Sequence, residues 1–275
     1  MVRHAIVIGA MKAGTTTLYN LLSQHPQISV SNLKETDFFL KRNFHKGPEW
    51  YERRFDHSKD VSIDVSPNYV KYRSFPGVAE RVRDLYPDVK LIFIARDPVE
   101  RAISQYKHQK LQVEGRLGDE KSDSYAIIRH AVEVSSYGEQ IDHWYKFFNK
   151  EQFLFIEFET MIEGPRKTIE DVCAFLGVEN VWQELTALGT SNSSLENAVL
   201  PSWLYKMRST GLGKKAKELL PRGAVNRLKA TLSGKPNSAD FRLEQEILDA
   251  MKVSLRTDIQ HFRKITGVRG SGWVV

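Results

Sequence analysis

The residues with the clearest chemical meaning lie near the start of the chain. Gly9-Ala10-Met11-Lys12-Ala13-Gly14-Thr15-Thr16-Thr17 follows an apolar run and precedes a run with helical spacing at Leu18, Leu21 and Leu22. A glycine-containing turn between strand and helix cradles anions. Backbone N–H groups point outward at the helix start, the helix dipole favours negative charge, and hydroxyls add donors. Gly14 permits close backbone approach, and Thr15, Thr16 and Thr17 supply the hydroxyls. The plain alternative is a strand-to-helix turn capped by threonine. In nucleoside-triphosphatase loops a lysine directly follows the second glycine. Here Thr15 holds that place and the lysine is Lys12, inside the turn. The pattern therefore suits phosphate but not ATP or GTP hydrolysis, and no Walker-B-like carboxylate accompanies it.

A second anion ligand is Arg96, at the carboxyl end of the apolar run Leu91–Ala95. Open α/β sheets bind ligands at that end of their strands, and a planar guanidinium suits phosphate. Asp97 and Pro98 then read as N-cap and first residue of a helix. Ser104 lies two helical turns further on, so its hydroxyl can point back along that helix. The alternative pairs Arg96 with a carboxylate and leaves Ser104 on the surface.

These positions demand a scaffold that presents strand ends. Residues 4–9, 28–30, 61–65, 91–95 and 153–156 read as strands, several of them buried runs of Ile and Val. Between them fall helical patterns: one through Leu18–Leu22, others around 49–55, 76–85 and from Pro98, a long one over 125–148, and 165–176. A last helix, 241–265, ends at Gly267. Residues 114–124 read as a loop. The alternation predicts a single α/β domain over 1–275, a central parallel sheet flanked by helices with a P-loop-like phosphate turn. Its core would be 1–178, followed by a basic helical segment at 190–240 and the C-terminal helix at 241–275.

Composition narrows the class. The chain has 275 residues and a formal net charge of +6. Residues 206–235 hold nine basic side chains against the single acid Glu218, so that segment carries +8 and the remainder is net negative. One confined patch without a nucleic-acid motif favours a small anion or an acidic substrate over nucleic acid. The segment reads either as a solvated helical cover or as a lid. The lone cysteine, Cys173, fits a core position and a reducing compartment, so a cytoplasmic setting is expected. The run Ala5–Met11 is too short for a membrane span and lacks the marks of a secretory signal.

The two motifs together resemble the sulfotransferases that use 3′-phosphoadenosine 5′-phosphosulfate (PAPS). Gly9–Thr17 looks like their 5′-phosphosulfate loop, and Ile94–Tyr106 like their 3′-phosphate motif, in which an Arg and a Ser eight residues on hold that phosphate. Lys34-Glu35-Thr36-Asp37-Phe38-Phe39, Ser66-Pro67-Asn68-Tyr69 and His45-Lys46-Gly47 with Trp50-Tyr51 resemble the heparan-sulfate, or glycan, branch. The likeness covers residues 5 to about 178. It implies PAPS as sulfuryl donor, adenosine 3′,5′-bisphosphate as product, no metal, and a hydroxyl or amine acceptor that is a small molecule, lipid or carbohydrate.

The resemblance also implies roles. Lys12, Ala13, Gly14, Thr15, Thr16, Thr17, Arg96 and Ser104 would bind the cofactor, and Lys12 would steady the leaving phosphate. Glu35 maps onto the glycan branch's base; a salt bridge to Lys34 is the competing reading. Asp64 reads as a substrate contact, an auxiliary base, or a cap for Ser66 or Asn68. His45 is a candidate substrate contact. The glycan branch's late Lys-Gly-Arg loop has no counterpart here. Two rivals remain: a catalytically silent nucleotide- or glycan-binding module, and a P-loop kinase.

Overall fold

A computed structural model describes residues 3–117, 124–182 and 243–274. The chain has the single-domain α/β fold, built on five parallel strands: β1 (Arg3–Gly9), β2 (Ile28–Val30), β3 (Val61–Val65), β4 (Lys90–Ala95) and β5 (Phe153–Glu157). Their order is β2-β3-β1-β4-β5. From β1 the chain moves outward to β2, returns through β3, then crosses to β4 on the other side of β1. The carboxyl ends of β1 and β4 therefore form the topological switch point, where such sheets bind ligands.

All five strands were legible because a sheet covered on both faces wants continuous apolar runs. Ile6, Val7, Ile8, Leu91, Ile92, Phe93 and Ile94 have no exposed surface. Each such side chain contributes roughly 1.5–3 kcal/mol relative to exposure. The β1–β4 register slips between Val7 and Gly9. A Cβ on Gly9 would sit 2.8 Å from Val70 and 2.9 Å from the Phe93 ring. Only glycine lets the start of the phosphate turn pass between those side chains.

The helices are α1 (Thr15–Leu22), α2 (Lys41–Phe44), α3 (Pro48–Glu52), α4 (Val78–Leu85), α5 (Pro98–Leu117), α6 (Ser124–Glu133), α7 (Tyr137–Tyr145), α8 (Phe158–Glu163), α9 (Pro165–Leu176) and α10 (Gln245–Thr266). Three differ from the sequence reading. The helix expected over 49–55 is present as the shorter α3, and α2 is an additional short helix outside that range. Helix α5 continues to Leu117, into the expected loop at 114–124. The helix expected over 125–148 breaks between α6 and α7. At that break the Asp258 carboxylate accepts the backbone N–H groups of Gly138 and Glu139, both at 2.9 Å, and so fixes a new helix start. A partner 120 residues away in sequence leaves no local signal.

Two compact units emerge. The first, residues 1–101, 134–191 and 252–275, contains the sheet and the helices packed on it. The second, residues 102–133 and 192–251, is helical where described: most of α5, α6 and the start of α10. The expected basic helical segment at 190–240 lies outside the described residues. Among the described residues no helix is long and apolar enough to cross a membrane.

Candidate active site

The phosphate turn leaves β1 at Gly9 and enters α1 through Gly14. The Ala10 N–H donates to the Ile94 carbonyl at 3.0 Å, which ties the turn to the end of β4. Gly14 is left-handed (φ 78°) and occupies the N-cap position of α1, and no side chain caps that helix. A Cβ there would lie 2.6 Å from Met161 and 2.9 Å from Phe158. Lys12 is also left-handed, at φ 70°, a conformation uncommon outside glycine and frequent at functional turns. Ala13 and Thr15 are buried, and Thr16 and Thr17 are half-buried.

Arg96 reaches this turn. Its Nη1 donates to the Lys12 carbonyl at 3.3 Å, and its guanidinium lies 5.2 Å from the Phe158 ring centroid. It also pairs with Glu100 at 3.5 Å, the carboxylate partner that the plain reading of Arg96 required. Asp97 caps α5 as its sequence position predicts: its Oδ1 accepts the N–H groups of Val99 at 2.8 Å and Glu100 at 3.2 Å. Ser104 sits half-buried on α5, in the second unit.

The segment after β2 supplies the carboxylates. The Lys34 ammonium donates to Thr16 Oγ1 at 2.7 Å and lies 3.4 Å from Glu35 Oε1. Glu35 and Asp37 are left-handed, with φ of 58° and 47°. Consecutive turns there are stabilised by Asn43, whose amide donates to the Thr36 and Asp37 carbonyls. Asp37 takes further contacts from Arg42 and from the Asn68 amide. Glu35 is thus carried on a segment stitched to the phosphate turn at Thr16.

Asp64, on β3, has no exposed surface. Its Oδ2 accepts the hydroxyls of Thr36 at 2.7 Å and Tyr69 at 2.8 Å, with Tyr51 at 3.4 Å, and its Oδ1 accepts Ser66 at 2.9 Å. Burial pushes its carboxyl up to about 6, against those hydrogen bonds, which lower it. Asp64 joins β3, the Ser66–Tyr69 turn and the Glu35 segment from behind. His45 is exposed at the end of α2, and Lys46 lies 4.3 Å from the Trp50 ring.

Two basic residues went unassigned in the sequence. Arg101 is fully buried; its Nε donates to the Met11 carbonyl at 3.0 Å and its Nη1 to Ser135 Oγ at 3.1 Å. Burial pulls it down to about 10. It stands inside the Ile94–Tyr106 motif, which was its only available signal. Lys71, 6% exposed, places its ammonium 3.3 Å from Met11 Sδ and 2.8 Å from Asn68 Oδ1. Nothing local marks it, because its role arises where the Ser66–Tyr69 turn folds over the end of β1, with Val70 N–H on the Ile8 carbonyl at 3.0 Å. Side chains from the turn after β3 and from α5 thus converge with Arg96 on the backbone and side chain of Met11–Lys12. Cations gathered on a turn of this kind can hold phosphate or sulfonate oxygens. Among the described residues, no group of three or more His, Cys, Asp or Glu is arranged to hold a metal ion.

Residues 2–233 match the family described as the sulfotransferase domain. The chain belongs to the sulfotransferase family. Human heparan sulfate glucosamine 3-O-sulfotransferase 6 is 29% identical to this sulfotransferase-family chain over 189 residues, 64% of the chain and 53% of that protein. Mouse bifunctional heparan sulfate N-deacetylase/N-sulfotransferase 4 is 32% identical over 197 residues, 63% of the chain and 22% of that protein. The chain therefore spans about half the length of the first relative and about a fifth of the second. A solved sulfotransferase from Alicyclobacillus acidocaldarius shares the fold, with a TM-score of 0.64, 20% identity, and coverage of 99% of this chain and 98% of that one.

Proposed function

We propose that this chain transfers a sulfuryl group from PAPS to a hydroxyl or amine of a carbohydrate acceptor. The observation that carries the reading is the Arg96 guanidinium on the Lys12 carbonyl. It joins the two phosphate motifs at the switch point, and the Lys34–Thr16 bond sets Glu35 beside them. The similarity to heparan sulfate enzymes supports a glycan over a lipid or small metabolite.

In the proposed reaction the acceptor oxygen or nitrogen attacks sulfur in line. The bond from sulfur to the bridging oxygen of the 5′-phosphate breaks, and adenosine 3′,5′-bisphosphate leaves. Glu35 takes the acceptor's proton. Lys12 meets the charge that builds on the bridging oxygen, where a preorganised cation acts most strongly. Arg96 holds the 3′-phosphate, and the turn Lys12–Thr17 the 5′ end. Asp64 positions the Glu35 segment through Thr36 and has no need to touch the acceptor. His45 is left as a candidate contact at the rim. The reading needs no metal. The lone cysteine, Cys173, supports a cytoplasmic setting.

The deciding experiment incubates the chain with labelled PAPS and unsulfated or partly sulfated heparan-type oligosaccharides, alongside pools of small alcohols and amines. Label on an oligosaccharide supports the reading. Label only on a small acceptor moves the substrate class. Binding of adenosine 3′,5′-bisphosphate with no transfer to any pool favours the silent module.

A further inference from the structure

Lys71 is a lysine the proposed reaction has not used. It leaves the turn after β3, runs beneath the phosphate turn and ends against the Met11 thioether, almost wholly buried. An ammonium has three donors. Here one meets the Asn68 carboxamide oxygen and another a sulfur, a weak acceptor, and no carboxylate among the described residues forms an ion pair with it. A buried charge so poorly matched is costly unless something completes it.

The charged groups facing it come from three elements. Arg101 stands on α5, Glu35 and Asp37 on the segment after β2, and Lys12 on the phosphate turn itself. Burial, then Arg101, pulls the ammonium down to about 7; Glu35 and Asp37 oppose this, and Lys12 adds to it. Lys71 therefore lies among the residues proposed to handle the donor's charge, on the inner side of the turn.

We propose that the Lys71 ammonium is an additional ligand for the 5′-phosphosulfate end of the donor, completed by that anion and poorly matched without it. The proposal rests on the PAPS reading. Its consequence is proton linkage. Without ligand Lys71 loses its proton near neutrality, and a bound dianion restores it, so donor binding above neutrality takes up a proton. The sign for stability follows. The folded-state value lies below the unfolded one, so the charged lysine disfavours folding. That penalty is full below about pH 7 and fades as pH rises towards the ordinary lysine range.

Calorimetry of the full chain with adenosine 3′,5′-bisphosphate, in buffers of different ionisation enthalpy near pH 8, reads the linkage directly. Wild type should take up more than about half a proton on binding, and Lys71→Met none. Near pH 6.5, Lys71→Met should bind roughly 10–100-fold more weakly, and the gap should close as pH rises. Lys71→Arg should keep affinity without the pH dependence. Adenosine 3′-phosphate, which lacks the 5′ group, should show no difference between wild type and Lys71→Met. Without ligand, Lys71→Met should melt several degrees higher near pH 6, a gain that a merely structural lysine would not give. Equal affinity and equal proton uptake in wild type and Lys71→Met would overturn the proposal. If wild type binds neither the bisphosphate nor PAPS, the donor reading fails by itself. Inorganic sulfate then decides: a pH-dependent rise in wild-type melting temperature, lost in Lys71→Met, keeps Lys71 as an anion ligand, and no rise removes that as well.

Discussion

The Lys34 ammonium lies 2.7 Å from the Thr16 hydroxyl, and the same nitrogen is 3.4 Å from Glu35 Oε1. The salt bridge that competes with a catalytic Glu35 is therefore present, yet it is also what couples Glu35 to the first turn of α1. Lys34→Met should lower kcat roughly 10–100-fold while bisphosphate affinity changes less than about threefold. Stability should move by less than about 1 kcal/mol, because both side chains are partly exposed. Partial rescue by Lys34→Arg would mark a positioning role. A fall in affinity matching the fall in kcat would place Lys34 on the cofactor instead.

Glu35→Gln keeps the shape of the side chain and removes its basicity. Turnover should fall by about 10²–10⁴ with cofactor affinity little changed. Single-turnover transfer of label under saturating PAPS measures it. Near-normal turnover would take the base role from Glu35, and His45→Ala would be the next variant to test.

Arg96→Ala removes a guanidinium that reaches both the phosphate turn and the Phe158 ring. The preference for adenosine 3′,5′-bisphosphate over adenosine 5′-phosphate should shrink by roughly 10–100-fold. Thermal shifts with the two nucleotides check this. A preserved preference would confine Arg96 to its contacts with the Lys12 carbonyl, Phe158 and Glu100.

The strands and the strand-to-helix turn at Gly9–Thr17 are legible because their causes are local. A buried parallel strand must be a run of apolar residues, and a phosphate turn must carry glycine and hydroxyls at fixed places. What escaped depends on distant partners. The break before Tyr137 needs Asp258. The extra helix α8 carries Phe158 against Gly14 and Arg96, a contact visible only once β5 is placed beside β4. Lys71 and Arg101 read as ordinary basic residues until the chain turns them inward onto Met11. The sequence alone leaves Asp64 open among three roles because burial cannot be seen at a strand end.

Asp64 gives a pH signature. Its folded-state value, about 6, lies above the unfolded one, so its contribution to stability is full below about pH 4 and lost as pH rises through 6. Asp64→Asn removes that titration. The difference in urea unfolding free energy should shift in favour of Asp64→Asn between about pH 4.5 and 7, by at most about 3 kcal/mol. A difference independent of pH would show that the four hydroxyls hold the carboxylate ionised throughout.

The C-terminal residues contact the neighbours of Arg96 and Phe158. Trp273, 8% exposed, stacks on Phe262 at 6.3 Å, and its Nε1 donates to Glu159 Oε2 at 3.3 Å. Glu159 Oε1 accepts the Asp97 N–H at 3.0 Å, and Asp97 Oδ2 accepts the Val274 N–H at 2.6 Å. The tail therefore fixes Asp97 and Glu159, the residues next to Arg96 and Phe158. Trp273→Ala should cost roughly 3–5 kcal/mol of stability through the lost ring. Trp273→Phe keeps most of that packing and loses the indole N–H, which should cost about 1 kcal/mol. If the tail positions Arg96, Trp273→Phe should weaken adenosine 3′,5′-bisphosphate several-fold while leaving adenosine 5′-phosphate nearly unchanged. Urea unfolding and nucleotide titrations on that one variant separate the two effects. Equal weakening of both nucleotides would confine the tail to holding the fold, because a loss specific to the 3′-phosphate is what displacement of Arg96 alone would produce.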